Sequence, residues 1–183
     1  MSTLSVTTLQ GLASSPTPTK IEVASGHTLH APGHVIQTFQ ALKTDVFSTS
    51  STSFVDITGL SVDITPKFNT SKILVSFNVA VGRNGGSQST MQLVRQVGGS
   101  DTIINPVAYN QGTAMTFNGS SDPGWDRELI TYQVLDAPST TSQVNYRLRT
   151  YFFSSSYVQY VNRCHNSANA TGSSTITVQE IAQ

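Results

Sequence analysis

Charge is scarce in this chain. Of 183 residues only 10 are Lys or Arg and 10 are Asp or Glu, leaving a formal net charge of zero. Nucleic-acid binding needs clustered cations to neutralise phosphates, and scattered basic residues matched by acidic ones supply none, so no nucleic-acid partner is expected. Cysteine is nearly missing too: a lone Cys164 permits no internal disulfide. Long apolar runs are absent, since the most hydrophobic stretch, Ile73 to Val81, is broken by Ser76 and Asn78 and falls far short of the 18 or more residues of a membrane span. The opening Met1 to Gln10 lacks the basic and apolar regions of a secretory signal, so classical secretion is not expected. No apolar i, i+3, i+4, i+7 run of helical length occurs anywhere. With neither charge nor staples, stability has to come from apolar burial, backbone ladders and association between chains.

What the chain does contain suffices for that. Leu, Ile, Val and Phe contribute 46 residues, enough for a core, while Ser and Thr make up about a quarter of the sequence and give a surface that is polar without being charged. Residues 1–33 read as an extended arm. Their apolar residues Leu4, Val6, Leu9, Ile21 and Val23 alternate like short strands but are too few to offset the entropy of ordering the segment alone. Partner chains would have to order it, the alternative being a flexible tail.

From His34 the pattern becomes strand after strand. Ile73, Val75, Phe77, Val79 and Val81 fall on one face of a half-buried strand, with Ser76 and Asn78 on the other. Similar alternation marks Val35–Ala41, Phe54–Ile57, Met91–Val97, Ile130–Val134, Val144–Phe152 and Ser174–Ile181. Turn clusters separate them at Gly82–Gly86, Gly98–Gly99, Asn118–Gly124, Ala137–Ser139 and Asn166–Ser174. Eight to ten short strands without a helix predict an all-β domain over 34–183, a jelly-roll-like β-sandwich preceded by the extended N-terminal arm.

No constellation in the sequence carries catalysis, and a non-enzyme without a cofactor is expected. His27, His30 and His34 lack the helix that would set two imidazoles on one face. They are a polar junction, or, in a trimer, one histidine per chain on a three-fold axis would make a three-nitrogen metal site. Cys164 and His165 are adjacent on an extended strand and point apart, which leaves Cys164 a buried, inert thiol. The segment Ser121–Glu128 sets Asp122, Asp126 and Glu128 around the only tryptophan, Trp125. An indole face can stack on a pyranose while carboxylates accept its hydroxyl protons, so these four are candidate glycan contacts, with structural packing of Trp125 as the alternative.

Three stretches carry a resemblance: the opening Met1–Gln10 (MSTLSVTTLQ), the central Ile57–Val75 (ITGLSVDITPKFNTSKILV) and the closing Ser173–Ile181 (SSTITVQEI). They resemble fibre-like virion structural proteins of tailed phages of marine bacteria, of the cyanophage type. The resemblance implies a virion component assembled in the bacterial host cytoplasm, a homotrimer with its N-terminus attached to other virion proteins of tail or capsid and its β-domain outward. These are scaffold motifs, so no site residue is carried over with them. The chain departs from the pattern in length, because 33 extended residues reach at most about 110 Å and leave little shaft. The expected function is therefore a non-enzymatic short fibre or decoration appendage anchored by its arm, with loops able to touch host surface glycans. A capsid cement protein and a lectin-like carbohydrate-binding module are the alternatives.

Overall fold

A computed structural model describes residues 25–84, 88–106, 112–117 and 127–183. The chain divides into two units, Met1–His30 and Ala31–Gln183. Of the first, the described residues Ser25–His30 are exposed and open on a turn at Ser25–Gly26.

The second unit is all-β among its described residues, as the alternation predicts, with two antiparallel sheets packed face to face. The first sheet contains β1 (Val35–Lys43), β2 (Phe47–Thr49), β4 (Lys72–Arg83), β8 (Arg127–Asp136), β10 (Gln159–Val161) and β13 (Ser174–Ile181). Its centre is β4. Along one edge β4 pairs first with β13 and then with β10, while β8 runs the length of its other edge. β1 closes the sheet beyond β13 and β2 lies beyond β10. The second sheet is β3 (Val55–Ile64), β9 (Val144–Phe152), β5 (Gln88–Val97) and β6 (Ser100–Ile104) in that order, with β7 (Ala114–Phe117) also on β5. A small ribbon, β11 (Arg163–Cys164) with β12 (Ser167–Thr171), completes the jelly-roll-like sandwich.

Period-2 patterning decides what lies between the sheets. Ile73, Val75, Phe77, Val79 and Val81 are all buried, facing Met91, Leu93, Tyr146 and Leu148 in one continuous core. On β3 the alternation changes phase. A register shift between Asp56 and Ser61, with Gly59 at φ +85°, is a bulge that turns Ile57, Leu60, Val62 and Ile64 all inward.

The structure corrects several boundaries. Gly82 and Arg83, read as part of a turn, belong to β4, because β10 and β11 pass so close that only glycine fits: a Cβ at Gly82 would lie 2.3 Å from the Arg163 carbonyl oxygen. Five residues of the predicted Asn166–Ser174 turn form β12, whose ladder to β11 satisfies backbone groups the polar sequence does not advertise. β1 runs as predicted, yet Phe39 is 44% exposed because its strand is the rim of the sheet, with β13 as its one ladder partner among the described strands.

Candidate functional site

Few of the predicted site residues are among the described ones. Trp125, Asp122 and Asp126 lie outside the described residues, as do Leu4, Val6, Leu9, Ile21 and Val23. His27 and His30 fall in the first unit and His34 in the second, and all three are exposed. His34 is placed by backbone bonds, its N–H donating to Ala31 (2.9 Å) and its carbonyl accepting from Ala182 (2.9 Å). Among the described residues of one chain, no three His, Cys, Asp or Glu side chains stand together as a metal site. Cys164 is buried, and His165 stacks on Tyr160 instead, its Nδ1 3.4 Å from the phenol oxygen.

Glu128 is the one described member of the glycan-contact group, and its parity on β8 aims it between the sheets. There its carboxylate accepts a hydrogen bond from the guanidinium of Arg83, which is 1% exposed and also donates to Ser89 Oγ at 3.3 Å. Next to them Thr150 Oγ1 donates to Gln159 Oε1 at 2.9 Å, and Gln159 Nε2 has no hydrogen-bond partner among the described residues. At the other end of β8, Arg95 Nη1 reaches both oxygens of Asp136 (2.8 and 2.9 Å), and the Tyr146 hydroxyl donates to Asp136 Oδ2 at 2.6 Å. Burial, reinforced by the Asp136 charge, pushes the Tyr146 phenol far up, so it stays protonated and serves as a donor. These two polar groups clamp β8 of one sheet to β5 of the other. A third inward carboxylate, the fully buried Glu180, accepts Lys67 N–H (2.7 Å) and Phe68 N–H (3.3 Å) on one oxygen and Gln37 Nε2 (2.6 Å) on the other. Each is a fastening between elements, and reading β8 by parity from Ile130 would have found the inward direction of Glu128.

The two outer faces differ sharply in charge. On the second sheet Asp56, Arg149, Asp101 and Arg147 interlock. Arg149 donates to Asp56 (2.7 Å) and Asp101 (2.8 Å), and Arg147 donates to Asp101 (2.6 Å) and lies 3.3 Å from Asp56. The Arg147 hydrogen bond outweighs burial and holds the Asp101 carboxyl below its ordinary range. Partial burial works against the Arg149 charge, but Asp56 and Asp101 raise its pKa all the same. A polar depression of about 500 Å³ at the end of this face is lined by Asp63, Gln96, Gly98, Gly99, Gln143 and Asn145, where Asn145 Nδ2 donates to Ser61 Oγ and Asp63 Oδ1, both at 2.7 Å. Its lining offers hydrogen bonds but no aromatic ring.

Away from the β10–β11 crossover at Gly82, the outer face of the first sheet is built from β8, β4, β13 and β1. Its polar side chains bond sideways, Gln40 Nε2 to Thr177 Oγ1 at 2.8 Å and Gln179 Nε2 to Thr38 Oγ1 at 3.3 Å. No helix of the described residues is long and apolar enough to cross a membrane.

No protein-family model matches the sequence, and no curated protein matches it. Among solved structures the chain is similar to Eiger TNF from S. frugiperda, at 10% identity over 84% of this chain and 95% of that one, with a TM-score of 0.42. It is similar also to the VP2 subviral particle of infectious bursal disease virus, at 12% identity over 90% of this chain and a TM-score of 0.44. The chain spans 42% of the VP2 chain. The likeness is confined to strand architecture.

Proposed function

We propose that the protein is a non-enzymatic virion structural component, a homotrimeric short fibre or decoration appendage whose arm, residues 1–33, attaches it to the particle while the β-domain points outward and offers its loops to host surface glycans. The observation that carries this reading is where the resembling stretches lie. Ile57–Val75 and Ser173–Ile181 supply most of β3, the start of β4 and all of β13, and Glu180 of the closing stretch holds the Lys67 and Phe68 backbone of the central one. Two segments nearly a hundred residues apart are one fastened scaffold, so the sequence likeness concerns the body of the domain. The described inward groups Glu128, Asp136, Glu180, Arg83 and Arg95 each bridge elements, which suits a part built for rigidity.

Immunogold labelling of intact virions tests the assignment: label on the tail supports a fibre, label on the head supports a decoration or cement protein, and no label on particles overturns the virion reading. The arm is tested by complementing a deletion phage with a protein starting at Ala31. That truncated protein should fold yet be missing from purified particles, and its normal incorporation would assign attachment to the β-domain.

A further inference from the structure

We infer that the outer face of the first sheet, together with its edge strand β8, is the surface on which copies of this chain meet. The inference rests on the trimeric reading above and names the surface that reading leaves open.

Side chains on this face are those opposite the buried rows of β4, β8, β13 and β1. Among the described ones only Lys72, at the rim, is charged. Leu129 is 60% exposed, Leu42 58% and Leu135 48%, on the two strands that flank the face. Leaving such residues in water forgoes burial worth about 25 cal/mol per Å² of apolar surface. The polar groups between them, Gln40 with Thr177 and Gln179 with Thr38, already satisfy one another sideways. Covering them therefore removes little hydration that is not replaced, whereas covering the ionic face of the second sheet would strip water from four charges at once.

The same features favour a second copy over a foreign partner. A three-fold axis brings the same surface together three times, so charge of one sign beside the axis would be repelled by its own copies, and a neutral face is suited to meeting its own kind. A charged partner finds no complement there, and the described aromatic rings of these four strands, Phe39, Phe77 and Tyr132, lie on the inward rows, so none faces outward for a sugar to stack on. Four strands about 4.8 Å apart and eight residues long at about 3.3 Å each give roughly 500 Å² of flat face. A stable contact needs about 800 Å² per partner. The remainder falls to β8, whose far edge pairs with no other described strand and invites cover.

Light scattering and sedimentation on the 183-residue protein at micromolar concentration provide the test. The unmodified protein should have three times the 19.6 kDa chain mass. Leu129→Arg and Thr177→Arg should each fall to the mass of one chain with an unchanged far-UV circular dichroism spectrum, while Thr58→Arg, exposed on β3 of the second sheet, should stay trimeric. Trimers surviving both face variants overturn the surface and leave the trimeric reading standing. A single-chain mass for the unmodified protein overturns both. Should the arginine variants lose the fold, a Gln133→Cys variant decides by thiol labelling: maleimide should react at least tenfold more slowly than with Thr58→Cys, and equal rates would overturn the surface.

Discussion

Glu128 shows how much one side chain's direction decides. Placed beside Trp125 in sequence it reads as a sugar contact, yet β8 turns it inward onto a guanidinium that is 1% exposed. Glu128→Ala takes a carboxylate away from a guanidinium held out of water and should cost about 3–5 kcal/mol in urea unfolding, whereas the paired change Arg83→Met with Glu128→Leu should be near neutral. The ion network on the outer face behaves differently, because its aspartates are partly solvated and screened by salt. Asp101 has a folded pKa below its unfolded value. Its contribution is therefore fully present above the unfolded aspartate pKa of about 3.9 and disappears as pH falls through the lowered folded value. Unfolding curves of the natural protein and Asp101→Asn should differ by less than about 1 kcal/mol at pH 7 and converge in acid, with the difference shrinking in high salt.

At the scale of elements, β4 is where packing is least forgiving. Phe77 is buried, with its ring centroid 5.9 Å from that of Tyr132, and Phe77→Ala should cost about 3–5 kcal/mol while Ser76→Ala on the opposite face should be nearly silent. Equal melting temperatures for the two would contradict the assigned face. Gly82→Ala should be as damaging as the core deletion, because the new methyl would meet backbone and the β10–β11 crossover would have to lift. Amide hydrogen exchange should then rise first in Gln159–Cys164. These elements also show what sequence can and cannot reveal. The Ser174–Ile181 strand and the buried face of β4 are legible because alternation of Ile, Val and Phe with Ser, Thr and Asn has one stable solution at a sheet. Gly82 is illegible as strand, because its reason for being glycine is a chain that approaches from eighty residues away. β12 is illegible for a related reason: Ser167–Thr171 forms a ladder through its backbone, and its composition matches a turn. Of the candidate site, the alternation around Ile130 held enough to orient Glu128, but nothing in the sequence shows that Arg83 waits opposite.

Across the described residues of the β-domain, charge is sorted by location: paired carboxylates and guanidiniums lie between the sheets or on one outer face, and the other outer face is nearly neutral over β8, β4, β13 and β1. The strand at the rim of that neutral face leads back to a further feature. Gly33 N–H donates to the Ala182 carbonyl at 2.8 Å, and Ala182 N–H donates to the His34 carbonyl at 2.9 Å. The start and the finish of the domain are thus backbone neighbours, so topologically it is a closed ring cut at one point. A few glycines joining Gln183 to Ala31, with a new cut between Ser139 and Thr140 in the exposed Ala137–Gln143 loop, should give a circular permutant with an unchanged far-UV spectrum and a melting temperature within several degrees of the parent domain. Loss of cooperative melting would show that the cut loop belongs to the folding unit. In a ring of this kind the position of the ends is free of the architecture, and an arm can be hung wherever assembly needs it without redrawing a single strand.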